Sequence, residues 1–250
     1  MTKVINKESR KNDNSQLLRN FTRPNLIIMN SCSDCAFYAS VCAKSNPKYF
    51  PPKSTIFHEG SSLKGVYCIE SGVCKILKLS ENGDEQIIQL LGKRTLLGIR
   101  SIVNDECTNL KAQALTAVSA QFVPIKDIKK AINKNPLFCT FLLQNFAKYI
   151  KDADNRIVSM GQHQSGERLA SLLLYIKKEF GLNPDGSLKV YLKRAEMANF
   201  IGTATESMIR TLKRFEHYGW VSTNKKKIYL KNEEALNLLI KGYRPHVKIA

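Results

Sequence analysis

The apolar residues of this chain change period at Pro136, and that change constrains the fold more than any other feature. From Ser54 to Val123, short apolar runs are separated by turn signals: Glu59-Gly60-Ser61-Ser62, Ser71-Gly72, Glu81-Asn82-Gly83-Asp84 and Leu91-Gly92. Asn82-Gly83, set between Val73–Leu79 and Gln86–Leu91, predicts a β-hairpin because Asn and Gly tolerate positive φ. Many short strands at regular spacing predict a barrel or sandwich. From Pro136 to Met160 the spacing turns helical. Leu137, Phe141, Ile150, Ala153, Ile157 and Met160 fall near one face, widened by Phe138, Leu142, Phe146 and Tyr149. Pro136 suits a first helical turn. So broad an apolar face exceeds what a small barrel can cover. Phe141, Phe146, Ile150, Ala153 and Ile157 are therefore expected to meet a second copy of the chain. The alternative is a helix packed only on its own barrel.

Gly161 to Ala250 reads as a further compact unit. Gly166 to Phe180 is an amphipathic helix with Leu169, Leu172, Leu173 and Ile176 inward. Asn183-Pro184-Asp185-Gly186 is a turn, and Leu188 to Leu192 a short strand. Two helices follow, then a hairpin from Trp220 to Leu230 around Asn224-Lys225-Lys226-Lys227.

The 250 residues suggest two domains, and a 43% apolar share can build real cores. No apolar run reaches the ~18–20 residues that cross a bilayer, and the start of the chain has no signal-peptide core. A cytoplasmic protein without a membrane partner is expected. The net charge of +18 favours polyanionic partners, nucleic acid first. Met1 to Pro24 reads as a flexible basic tail. Residues 25–52 hold Cys32, Cys35 and Cys42, and prolines that exclude a continuous helix. The remaining cysteines, Cys68, Cys74, Cys107 and Cys139, read as small buried hydrophobes. An odd total of 7 argues against a disulfide framework. There is no nucleophile–base pairing, phosphate-binding glycine loop or paired-carboxylate motif, and His58 is the one histidine in the barrel region. An enzyme is not expected.

The most informative stretch runs from Arg194 to Phe215. Ala195 to Ile201 is a short helix with Met197, Ala198 and Ile201 inward. Gly202 breaks it at a tight turn. Thr203 or Thr205 can cap the next helix. Met208, Leu212 and Phe215 form the inner stripe of that helix, while Thr205, Glu206, Ile209, Arg210 and Lys213 point outward. Two helices joined by a Gly turn, with polar residues early in the second, suit a DNA major groove. Arg pairs bidentately with guanine, and Glu accepts from cytosine N4. Glu206 and Arg210 lie four apart and can orient each other; a solvated ion pair is the plainer alternative. Arg194 and the basic Lys225-Lys226-Lys227 turn, read as a wing, are candidates for phosphate contact, with a solvated loop as the alternative for the turn.

These residues resemble the family of the catabolite activator protein and the fumarate-nitrate reductase regulator, from about Lys53 to Leu239. Gly65-Val-Tyr-Cys-Ile-Glu-Ser-Gly72 and Glu81-Asn-Gly-Asp-Glu-Gln-Ile87, with Gly92 and Gly98, are similar to its barrel signature. Glu167-Arg-Leu-Ala170 and Glu206-Ser-Met-Ile-Arg210 are similar to its DNA-binding segments. The resemblance implies an α+β chain. It has a cyclic-nucleotide-binding-like double-stranded β-helix, or jelly-roll barrel, over 53–135. A dimerisation helix over 136–160 and a winged helix-turn-helix over 161–250 follow. It further implies a homodimeric transcription regulator on palindromic DNA that also meets RNA polymerase. Glu206 and Arg210 would read a TGA-like half-site core. Ile209 stands where the fumarate-nitrate regulator has Ser, and can touch a thymine methyl. The other reading is a ligand-binding barrel whose helix-turn-helix meets protein.

The expected signal departs from both well-known relatives. Aligned on Gly98, the phosphate-site Glu of the cyclic-AMP binders becomes Ile99, and their Arg-Ser pair falls near Thr108-Asn109. A buried phosphate needs donors and positive charge, so cyclic AMP is not expected. Cys32, Cys35 and Cys42 resemble the N-terminal iron–sulfur ligands of the oxygen sensors. The fourth position holds Gln121, leaving Cys68, Cys74, Cys107 or Cys139 as substitutes. An iron–sulfur cluster, zinc, and thiol-based sensing of redox state, oxygen or nitric oxide all stay open, as do relic cysteines or a barrel that senses nothing.

Overall fold

A computed structural model describes residues 47–243. The basic tail, the Cys32, Cys35 and Cys42 group and the last seven residues lie outside them. Eight strands form two antiparallel sheets. One orders β1 (Lys48–Phe50), β8 (Val118–Pro124), β3 (Gly65–Ser71) and β6 (Leu96–Leu97). The other orders β2 (Thr55–Phe57), β7 (Lys111–Ala114), β4 (Cys74–Leu79) and β5 (Glu85–Leu91). This is the expected jelly-roll. β4 and β5 pair as the predicted hairpin, Leu79 opposite Glu85, with Gly83 at φ 85° in its turn. Ile69, Cys74, Ile76, Leu97, Ala112, Val118 and Ala120 fill the space between the sheets.

Helices cover the outer face of β3 and β8. They are α1 (Ile99–Asn104), α2 (Ile125–Lys134) and the start of α3 (Pro136–Gln162). Val66, Cys68, Ile102, Val123, Ile128, Phe138 and Leu142 pack there. Asn135 caps α3 by accepting from Phe138 N at 3.1 Å, and Pro136 takes the first turn as expected. At 1.5 Å per residue, α3 is about 40 Å long.

The C-terminal unit contains α4 (Ser165–Phe180), α5 (Arg194–Ile201), α6 (Thr205–His217) and α7 (Glu233–Ile240). Its hairpin is β9 (Val221–Asn224) and β10 (Lys227–Leu230), closed by Lys225-Lys226 alone. The expected strand over Leu188–Leu192 does not form. Leu188, Val190 and Leu192 are buried in alternation, but among the described residues the segment makes one isolated bridge, Leu182 to Leu188, and one bond to β10, from Leu188 N to Ile228 O at 2.8 Å. Alternate burial with a single bond to β10, and no continued ladder, leaves an extended segment.

One hydrophobic cluster spans the barrel and the C-terminal unit. Val73, Leu77, Ile87 and Leu90 of the barrel share one cluster with Leu169, Tyr175, Phe200 and Phe215 of the C-terminal unit. A fully buried aliphatic side chain contributes ~1.5–3 kcal/mol, so four of them dock the unit firmly on the β4–β5 sheet.

Candidate nucleic-acid interface

α5 ends on Gly202, which takes φ 63° and ψ 56°. Thr203 N donates to Ala198 O at 3.0 Å and Gly202 N to Asn199 O at 3.2 Å. This pair of bonds defines a Schellman stop, which a left-handed glycine makes without strain. α6 then starts at Thr205. Its N-cap is Ala204, with no side-chain cap, so neither Thr203 nor Thr205 plays the capping role expected of it. Thr205 instead occupies the first helical position.

α6 buries Met208, Thr211, Leu212 and Phe215, fixing its rotation. Glu206, Arg210 and Lys213 are exposed on the opposite side, and Thr205 is half-buried beside them. Ile209 is a partial exception to the outward row, since it packs against the domain core. Glu206 and Arg210 form no ion pair. Arg210 Nη2 instead donates to Ser207 Oγ at 3.2 Å, leaving the Glu206 carboxylate outward.

Lys225 and Lys226 are exposed at the hairpin tip, Lys225 with φ 54°. The next residue, Lys227, is tied back: its Nζ lies 2.5 Å from Asp185 Oδ2. Asp185 also accepts from Ser187 Oγ at 2.6 Å and Ser187 N at 3.0 Å. Lys227 first, then Ser187, hold its carboxyl well below the usual carboxylate range. Arg194 opens α5, and its Nη1 is buried without a hydrogen-bond partner among the described residues.

On α3, Leu143, Ile150 and Ile157 stand seven apart and are 69%, 59% and 72% exposed. Ala153 is half-buried next to that row. Phe141 and Phe146, read from sequence as contacts with a second copy, pack against the chain's own barrel cluster. Leu143 sits in an unbroken apolar run, where spacing alone does not set it apart.

The barrel holds a half-open cavity of about 60 Å³ between its sheets and α3. Phe57, Ile76, Leu97, Ile99, Leu110, Phe146 and Tyr149 line most of it. Ile99 is 1% exposed, and Arg100 donates to the Asn109 side chain. No carboxylate lines the cavity.

Gln121, at the fourth cluster-ligand position, is buried and donates to Glu70 Oε1 at 2.9 Å. An amide already bonded to a carboxylate does not fit a thiolate's place. Cys68 and Cys74 are core residues, and burial pushes the Cys74 thiol up. Cys139 Sγ donates to Ile132 O at 3.0 Å, and Cys107 is exposed. No three His, Cys, Asp or Glu among the described residues gather as a metal site. No helix among them is long and apolar enough to cross a membrane.

Comparison with known proteins agrees with this architecture. Residues 47–135 match the cyclic nucleotide-binding domain model, and residues 167–239 the Crp-like helix-turn-helix domain model. The global nitrogen regulator of Synechocystis sp. is 27% identical over 192 residues, 75% of this chain and 85% of that protein. The fumarate and nitrate reduction regulatory protein of Salmonella typhimurium is 27% identical over 188 residues, 74% of each chain. The structure of FixK2 from Bradyrhizobium japonicum superposes with a TM-score of 0.70 at 21% identity, over 78% of this chain and 96% of that one. A jelly-roll sensor of the cyclic-nucleotide-binding type, a long connecting helix and a Crp-like helix-turn-helix thus place the chain in the CRP/FNR family of transcription regulators.

Proposed function

We propose that two copies of the chain join along α3 and present two α6 helices to successive major grooves of a palindromic site. The carrying observation is the exposed row Glu206, Arg210 and Lys213, opposite the buried Met208, Leu212 and Phe215. Two-fold symmetry sets the half-sites one helical turn apart, ~34 Å. Glu206 and Arg210 read base edges, while Thr205 and Lys213 flank them. Ile209 offers a thymine methyl only its uncovered edge. Lys225 and Lys226 reach phosphates as a wing. The Nη1 of Arg194, buried and without a partner among the described residues, would gain an acceptor if the side chain turned outward to a phosphate oxygen at the start of α5. RNA polymerase is the further partner that such a regulator meets.

The sensor does not take cyclic AMP in this reading, since its cavity offers a phosphate neither a free guanidinium nor room. The test of the whole is selection of duplexes from random DNA by the full chain, followed by titration at several salt concentrations. Enrichment of a palindrome, with affinity falling log-linearly in salt, is expected. Retention without any common motif would refute the reading.

A further inference from the structure

The Schellman stop at Gly202 leaves three carbonyls at the end of α5 without partners in the helix: Phe200, Ile201 and Gly202. Guanidinium groups take all three. Arg168 donates from Nε to Ile201 O at 2.7 Å and from Nη2 to Gly202 O at 3.2 Å. Its Nη1 also reaches His163 O at 2.6 Å, at the junction of α3 and α4. Arg156 takes the third, from Nη2 to Phe200 O at 2.9 Å, with its guanidinium 4.6 Å from the centre of the Phe200 ring.

Arg156 belongs to α3, next to the exposed Ile157, and it also grips the sensor. Nη2 donates to Ile87 O at 3.0 Å, and Nη1 to Ile88 O. β5 is the edge strand of its sheet among the described residues, so one row of its backbone groups has no strand partner there. Asn199 fills part of that row, accepting from Ile87 N and donating to Glu85 O. Gln86 donates back to Asn199 O. Lys75 on β4 and Glu196 on α5 pair at 2.7 Å beside them.

A half-buried guanidinium with no carboxylate partner among the described residues is a costly way to hold two domains together; apolar side chains of similar volume do so more cheaply. Burial pulls the pKa of Arg156 down to about 10, against the field of Tyr175 and Tyr149. What the group does supply is a planar fork that bonds three directions at once. It links the helix that carries the dimer seam, the edge strand of the sensor and the end of the first helix of the helix-turn-helix.

We propose that Arg156 is a positioning residue that sets the angle of the helix-turn-helix on the dimer axis and relays movement of β5 or α3 to operator affinity. Glu206, Arg210 and Lys213 are exposed in the clamped arrangement, which leaves it open to DNA. This inference rests on the palindromic reading above.

The test uses the full chain and the palindrome that the wild type selects, with the spacer between half-sites native, one base pair longer and one shorter. Arg156→Met keeps length and apolar bulk but removes the fork. It should lose at least ~10-fold in operator affinity, while random-sequence affinity at the same salt and the dimer stay unchanged. The penalty for a one-base-pair spacer change should shrink, because a loosened domain accommodates either spacing. Arg156→Lys should fall between the two, since an ammonium cannot span the same acceptors. Wild-type affinity with an undiminished spacer penalty overturns the proposal, as does an equal loss on operator and random DNA. Should Arg156→Met fail to fold, Asn199→Ala cuts the same link from the α5 side and must give the same signature. A wild type that selects no palindrome overturns the functional reading itself, and this is seen before any variant is made.

Discussion

Gly202 faces Met160: a Cβ at Gly202 would stand 3.0 Å from the Met160 Sδ, where the helix-turn-helix meets the last turn of α3. Gly202 is also left-handed, at φ 63°. Gly202→Ala therefore meets a left-handed backbone penalty of ~1–2 kcal/mol, while the flexible thioether of Met160 yields more cheaply. Denaturant unfolding should show that loss. Gly202→Asn should lose less, since Asn tolerates the left-handed region. Equal losses for Ala and Asn would place the cost in the contact with Met160 instead of the backbone.

The base-reading and phosphate-reading roles separate by different measurements. Arg210→Ala should relax preference at one base pair in each half-site by ~1–3 kcal/mol and leave the other positions unchanged. Lys225→Ala and Lys226→Ala should leave base preference intact. Each phosphate contact they remove should lower the slope of log affinity against log salt by ~0.9. A change of base preference in a wing variant would move the hairpin from the backbone to a groove.

Much of this architecture could be read from the chain because its signals are local. Asn82-Gly83 and Gly202 mark turns that need positive φ, and both turns form there. Met208, Leu212 and Phe215 fix the rotation of α6 by spacing alone. Where the signal was not local, it failed. The alternation of Leu188, Val190 and Leu192 reports burial correctly, yet a ladder needs a neighbour that no local pattern supplies. Phe141 and Phe146 share an apolar helix face with Ile150 and Ile157, and only the barrel's position shows which part of the face is covered. Arg156 and Asn199 carry no motif at all. Their partners are backbone groups of residues 85 to 88, which are far away in sequence.

Cyclic AMP is expected to give no saturable heat by calorimetry and no change in operator affinity. Ile99 stands in place of a carboxylate, Arg100 is bonded to Asn109, and the cavity of about 60 Å³ is far below the ~300 Å³ of ordinary ligand pockets. Micromolar binding would show that the cavity opens and that Arg100 changes partner.

The Asp185–Lys227 contact gives the C-terminal unit an acid-sensitive element. The Asp185 carboxyl is held below its ordinary value, first by Lys227 and then by Ser187. Its stabilising contribution is complete above the unfolded-state value of ~3.9 and is lost as pH falls from there through the lower folded value. Asp185→Asn should therefore flatten the acid limb of a stability–pH curve below about pH 4 relative to wild type. At neutral pH the change should be small, because the pair is exposed and screened. An unchanged acid limb would mean that Asp185 makes the same bonds in the unfolded chain.

The seam on α3 makes the remaining prediction. Leu143, Ile150 and Ile157 recur every seven residues, the repeat that keeps one face of a helix toward a partner helix. Their exposure in one copy leaves three large aliphatic side chains that a second copy can cover, each worth ~1.5–3 kcal/mol when fully buried. Ile150→Asp puts a carboxylate in the middle of that row without touching the barrel cluster, which Phe141 and Phe146 serve. Sedimentation should then show a monomer with the circular dichroism of the wild type. Palindrome affinity should fall toward that of a single half-site, while random-sequence affinity falls far less. A variant that stays dimeric would move the interface off this face, and the half-site spacing would then need a different two-fold axis.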